Sequence, residues 1–247
     1  MTHPYRTLVF DCINTVLLPN PQRLPRLVVD GKEVTSTAPL LMERVAAHLP
    51  GLPTEEVHRA MRRAWRWAEE QRGPELREIP ATLRFRRLLD ELGLQHLGEP
   101  LAGELLAAHM AAVTGCYDLP PAHRQVLAQL KDRFPLALFS NFDHRPSLLA
   151  KLEAEGIADW FDPLIISDGL GYRKPGAAAF SLALDLLGES PEQVLMAGDS
   201  LEDDVAGCHG AGIDIAWINP RGAPVPESAS PRYVLASITG LPKLLAS

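Results

Sequence analysis

An α/β fold, a parallel sheet interrupted by an inserted α-helical segment, is what three features of this 247-residue chain predict. Short apolar runs alternate with helical periodicity near both ends of the chain, the pattern of strands buried on both faces of a parallel sheet. From Pro19 to about Tyr117 that alternation gives way to an almost wholly helical pattern, as in an insertion. Several apolar runs stop abruptly at polar residues, Asp11 and Asp199 among them, and open parallel sheets bind ligands at those carboxyl ends.

Each element has its own justification. The first strand is the TLVF of "TLVFDCINTVL", which ends at Asp11. Within the insertion, "RLVVDGKEV" places Asp30-Gly31 between Val28, Val29 and Val34, a hairpin signal. Helices are predicted over 39–48, over 54–71 with Thr54 as N-cap and Glu55 and Glu56 in its first turn, over 82–92 and over 101–113. Pro50-Gly51, Gly73-Pro74 and Gly98-Glu99-Pro100 supply the breaks. Trp65 and Trp67 point in nearly opposite directions on a helix, so one is expected in the core and the other on the surface, or else facing a partner domain or cleft. Beyond Tyr117, strands are predicted for LALFS (136–140), PLIIS (163–167), VLMAG (194–198) and IDIAWI (213–218). The domains that follow are a core of 1–18 plus 119–247 and an insertion of 19–118.

Composition narrows the function. A formal charge of −7 with 46% apolar residues fits a soluble protein and argues against a surface that holds nucleic acid or anionic lipid, while a small anionic substrate stays open. The three cysteines form no CxxC pair and suit a reducing compartment; Cys12 is expected to be packing rather than a redox thiol. "MTHPYRTLVFD" has no leader-like apolar run and no later stretch has the length of a membrane span, so a cytoplasmic location is expected. Oligomeric state is not encoded in any readable way.

Residues that can carry chemistry gather just after the strands: Asp11, Ser140 with Asn141, Ser167 with Asp168, and Asp199 with Ser200. Lys174 in "GYRKPG" adds a cation, and its neighbour Arg173 either helps bind an anion or is solvated.

Four motifs in this order, "VFDCINT", "LFSNFD", "GYRKPG" and "MAGDSLEDDVAG", resemble those of the haloacid dehalogenase-like hydrolases over nearly the whole chain. The resemblance implies a Rossmann-like core, a helical cap of type 1 as in subfamily I, and Asp11 as nucleophile. The chemistry suits these residue types. A carboxylate attacking phosphorus or carbon forms an aspartyl intermediate and splits one displacement into two. Mg²⁺ reconciles that carboxylate with an anionic substrate, with Asp199 as second ligand and Asp204 holding either a metal-bound water or Lys174. Lys174 neutralises Asp11 and a phosphate oxygen, while the Ser140 hydroxyl and the backbone around Asn141 donate to another. Glu202 and Asp203 are expected to be solvated helix acids.

Phosphatases of this family carry a second Asp two residues after the nucleophile, and here that residue is Ile13. Asn14 cannot replace it, because an amide has no exchangeable proton near neutral pH. The resemblance makes the metal ligand at Ile13 a backbone carbonyl, so the cation is retained. General acid–base help is worth ~10²–10⁴-fold, so ordinary ester hydrolysis should be slow. Asp143, His144 and residues of the insertion are candidate replacement acids. A group similar to the rhythmically expressed gene 2 product also lacks the second Asp and has a like "SNFD" stretch. Three readings follow: a Mg²⁺-dependent phosphatase for small substrates with good leaving groups, a carbon-centre hydrolase of the 2-haloacid dehalogenase kind, or a non-catalytic phosphate- or metal-binding homologue. Asp199 and Asp204 count against the second.

Overall fold

A computed structural model describes residues 4–246. In chain order, β1 (Thr7–Phe10) leads to a two-residue strand β2 (Leu18–Pro19) and to the hairpin of β3 (Arg26–Val29) and β4 (Lys32–Thr35). Helices α1 (Ala38–Val45), α2 (Thr54–Gln71), α3 (Ala81–Leu92) and α4 (Gly98–Gly115) come next. After β5 (Tyr117–Asp118) the chain runs through α5 (Pro121–Lys131), β6 (Leu136–Ser140), α6 (Arg145–Ala154), β7 (Leu164–Ile166), α7 (Ser167–Leu170) and α8 (Ala177–Leu187). It ends with β8 (Val194–Gly198), α9 (Ala206–Ala211), β9 (Asp214–Ile218), β10 (Tyr233–Leu235) and α10 (Leu241–Leu244).

Six strands form one sheet in the order β10-β9-β8-β1-β6-β7, and every pairing in it is parallel. This is the Rossmann-like α/β architecture that the motif order implied. Its interior is apolar on both faces, as a helix-covered parallel sheet requires. Leu8, Phe10, Leu138, Leu195 and Ala197 face one cluster, which continues into Leu41, Ala64, Phe85, Leu88 and Leu105 of α1–α4. Val9, Phe139, Met196, Ile215 and Trp217 face the other, where Phe139 and Phe180 meet edge to face at 5.2 Å. The hairpin turns at Asp30 and Gly31, both with left-handed φ (51° and 75°), as its tight turn demands. β2 pairs antiparallel with β5, setting Leu18 and Pro19 against Asp118 and Tyr117.

Several boundaries differ from expectation. Pro53, not Thr54, caps α2, with Thr54 already in the first turn. The predicted break at Gly98-Glu99-Pro100 is the first turn of α4, where Pro100 costs nothing because that N–H has no intrahelical acceptor. α1 begins and ends earlier, at Ala38 and Val45. The buried stripe of α2 is Val57, Ala60, Ala64 and Ala68, so neither Trp65 nor Trp67 is a core residue. β10 was not foreseen. No helix of the described residues is long and apolar enough to cross a membrane.

Candidate active site

The central strands bring the polar strand ends together. Phe10 lies between Leu138 of β6 and Ala197 of β8, so Asp11 leaves the sheet flanked by the ends of both, its N–H donating to the Ala197 carbonyl at 2.8 Å. A cleft of about 300 Å³ opens there, lined by Asp11, Ile13, Ser140, Asn141, Lys174, Asp199 and Asp204 together with Asn14, Ser200 and Asp203. The first seven of these, the residues that the motif resemblance gave a role in catalysis, phosphate binding or metal binding, therefore line one cleft.

Lys174 organises the cleft. Its Nζ is almost fully buried and donates to Asp11 Oδ1 (2.8 Å), Asp204 Oδ1 (2.6 Å) and the Phe139 carbonyl (2.8 Å), using all three donors of an ammonium. Asn141 fixes the lysine's peptide: its Nδ2 donates to the Lys174 carbonyl and its Oδ1 accepts from the Lys174 N–H, each at 2.9 Å. Asp204 reaches back beneath β8 because residues Leu201–Val205 form a π turn, a wider coil that re-aims side chains at functional sites. Its second oxygen accepts from the Ser200 N–H at 3.0 Å. Glycine is required at 198, since a Cβ there would lie 2.5 Å from the Asp204 carboxylate.

Ligand oxygens of Asp11, Asp199 and Asp204 lie within 4.8 Å of one another. Burial pushes the Asp11 carboxyl up to about 7, against the pull of Lys174 and with the help of Asp204 and Asp199. Burial and the Asp204 charge likewise raise Asp199 to about 6. Burial alone would lower Lys174, but the adjoining Asp11 and Asp204 carboxylates outweigh it and hold the ammonium charged. With these carboxylates ionised, and Asp203 beside them in the lining, negative charge exceeds that of the single lysine. An oxygen-seeking divalent cation fits that donor set in charge and chemistry.

Some expectations need correction. Asp203 lines the cleft and is half-buried, so only the exposed Glu202 is a solvated acid. Ser167 and Asp168 stay out of the site: the Ser167 hydroxyl accepts from the Phe142 N–H and donates to Glu78, and Asp168 accepts from the Arg145 N–H. Arg173 is neither free nor solvated, being paired with buried Glu78 at 2.6 Å. Asp143 is held by Arg84 through two hydrogen bonds of 2.9 and 2.7 Å, and the His144 Nδ1 faces the Ser147 hydroxyl, so neither candidate acid lines the cleft. Cys12 is fully buried and burial raises its thiol, as expected of packing. Asn14 was undervalued: it adopts a left-handed φ of 64°, which asparagine tolerates, and its side chain supports Asp199.

Next to the cleft lies a second cavity of about 390 Å³ that shares Ile13 and Asn141 with it. Its other walls include Trp65, Arg84, His109, Tyr117, Phe142 and Arg173. Around the connector between α2 and α3, the Glu78 N–H donates to the Gly171 carbonyl, the Arg173 N–H to the Leu76 carbonyl and the Ala81 N–H to the Asp143 carbonyl. The loops bearing Lys174 and Asn141 are thus tied to the helical segment. No residue spacing in the sequence signals this contact.

Comparison with known proteins agrees with the geometry. N-acylneuraminate-9-phosphatase of Mus musculus is 35% identical over 126 residues, 50% of each chain. Phosphoserine phosphatase of Thermus thermophilus is 34% identical over 149 residues, 60% of this chain and 57% of the relative. The chain thus spans about half the length of these curated relatives. A crystal structure of 2-haloacid dehalogenase from Pseudomonas syringae shares the fold, with a TM-score of 0.73 at 22% identity over 98% of both chains. The model of the haloacid dehalogenase-like hydrolases matches residues 5–212, and with that span of agreement the chain belongs to this family of hydrolases.

Proposed function

We propose that this chain is a Mg²⁺-dependent phosphatase of small phosphorylated metabolites, working through an aspartyl phosphate on Asp11. The observation that carries this reading is the Lys174 ammonium bridging Asp11 and Asp204 beside Asp199. The phosphatase relatives support the reaction class. Asp11, the Ile13 carbonyl and Asp199 would hold the cation, with Asp204 completing the acidic shell. Mg²⁺, when bound, neutralises charge between nucleophile and phosphate. An Asp11 carboxylate oxygen attacks phosphorus while the bond to the leaving oxygen breaks, that oxygen keeping the electron pair. Lys174 and the Ser140 hydroxyl stabilise the phosphoryl oxygens, with Asn141 positioning the lysine. Water then attacks phosphorus as the bond to the Asp11 oxygen breaks, the electron pair returning to the Asp11 carboxylate and the protons of the water leaving with inorganic phosphate and solvent.

Ile13 stands where the family's second Asp would protonate the leaving group, so the enzyme favours leaving groups that need little protonation, such as acyl and aryl phosphates. Segment 19–118 acts as the cap and segments 1–18 and 119–247 as the core. The acidic charge and three free, buried cysteines support a cytoplasmic setting. A panel of phosphate esters assayed with and without Mg²⁺, beside halide release from 2-haloacids, tests the reading. Metal-dependent phosphate release lost in Asp11→Asn is the expected result; metal-independent halide release would replace the reading with carbon-centre hydrolysis.

A further inference from the structure

Three hollows share walls in series. The Asp11 cleft meets the 390 Å³ cavity at Ile13 and Asn141, and that cavity shares Trp65, Arg84, His109 and Val113 with a third of about 230 Å³, lined wholly by residues of the helical segment. Ile13, Met110, Val113, Phe142 and the rings of Trp65 and Tyr117 make the middle cavity largely apolar. The charges on its walls are paired, Arg84 with Asp143 and Arg173 with Glu78. Besides Arg84, the third cavity has the charge of Arg62, which is exposed to solvent. Its remaining polar residues include two histidines held in the same way. Ser36 and Thr37 stand side by side ahead of α1, with Ser36 Oγ 2.8 Å from Nδ1 of His58 and Thr37 Oγ1 2.7 Å from Nδ1 of His109. Both histidines line the third cavity, and His109 lines the middle one as well. Burial, and after it the Arg84 charge, push the His109 pKa down to about 3, so its ring is neutral. With Nδ1 engaged by Thr37, its Nε2 has no protein partner among the described residues. Arg84 likewise commits Nε and Nη2 to Asp143 and leaves Nη1 over. Polar nitrogens this deep require a partner, and the two cavities leave room for one on a ligand.

We infer that the leaving moiety of the substrate is uncharged, apolar along the middle cavity, and bears a hydroxyl group that His109 and Arg84 receive where the second and third cavities meet. A hydroxyl fits because it both donates and accepts: it accepts from the Arg84 Nη1–H and matches either tautomer of the neutral imidazole. The paired charges on the walls give a second anion or a cation no counterpart there. The inference rests on the phosphatase reading for the phosphate itself, which occupies the Asp11 cleft.

Binding and turnover separate the two claims. Calorimetric titration of the Mg²⁺-loaded protein with pairs of alkylphosphonates, one member ending in a methyl and the other in a hydroxyl at the same chain position, reads the hydroxyl site without needing catalysis. Chains of about three to ten carbons span the range. An apolar wall alone favours the methyl member at every length, whereas a hydrogen bond to His109 and Arg84 should make the hydroxyl member about threefold or more tighter at the length that reaches them. His109→Phe keeps a ring against Phe85 and should abolish that preference, and His109→Gln, which returns a polar nitrogen and oxygen, should restore part of it. A methyl member that binds as tightly or more tightly at every length in the wild-type protein, or no binding of any member, would overturn the inference whatever the variants do. A preference that survives in His109→Phe would overturn it as well. Acetyl phosphate, whose leaving group is only two carbons long, reports on the phosphatase reading through Mg²⁺-dependent phosphate release. A hydroxyl preference without that release sinks the phosphatase reading alone, and release without the preference sinks the hydroxyl site alone.

Discussion

Replacing Lys174 by Met keeps the length of its apolar stem and removes only the ammonium. Asp11 and Asp204, whose side chains are 11% and 1% exposed, then lose the cation that bridges them. Breaking a buried pair by deleting one partner typically costs about 3–5 kcal/mol, and Asp11 borders the cleft, so the lower end of that range applies. The sign of the pH dependence follows from the carboxylates. Burial already raises Asp11 to about 7, and loss of Lys174 moves its folded value further above the unfolded one. A raised carboxylate destabilises most above its folded pKa and ceases to do so once both states are protonated. The deficit of the variant should therefore be about 3 kcal/mol at pH 8 and shrink as the pH falls to 5. Urea unfolding of metal-free protein, compared at equal m-values, measures it. A deficit below about 1 kcal/mol at pH 8, or one unchanged by pH, would show that packing rather than charge is what Lys174 provides.

Three further outcomes are expected. Ile13→Asp puts a carboxyl on the wall shared by cleft and cavity, so turnover of esters with poor leaving groups should rise by up to about 10²-fold while acyl phosphates change little; an unchanged rate in a folded variant refutes the account of the missing acid. Gly198→Ala drives a methyl into the Asp204 carboxylate, and a stability loss of about 1–3 kcal/mol together with loss of most activity should follow, read by thermal unfolding and phosphate release. Because Asp11 and Asp199 titrate near 7 and 6 when folded, metal-free stability should decline as the pH rises through about 4 to 7 and Mg²⁺ should recover it, while the apparent Mg²⁺ affinity should weaken below pH 7; calorimetry at pH 5.5 and pH 8 checks both.

The parts of the molecule legible in the sequence are those where one local pattern determines the answer. LALFS and VLMAG are strands end to end, because fully apolar runs bounded by polar residues have no other place in an α/β core. Asp11, Ser140, Lys174 and Asp199 were readable because each sits at or beside a strand end or in a recognisable motif. β10 was not, since Tyr233–Leu235 is a three-residue edge strand with no alternation to detect. The clasp of Asn141 on Lys174 and the Glu78 anchor for Arg173 depend on segments far apart in the chain meeting in space. The Trp pair misled for a simpler reason: on α2 the core stripe is built of alanines and valine, which leaves the large rings at its margins.

Whether Asp11 becomes phosphorylated can be asked chemically. Borohydride added during steady-state turnover reduces an acyl phosphate to the alcohol, so peptide mass spectrometry should find homoserine at position 11 only when both Mg²⁺ and substrate are present. Phosphate release that continues while Asp11 stays unreduced under the same trapping conditions would contradict the nucleophile, and with it the chemistry assigned to the cleft.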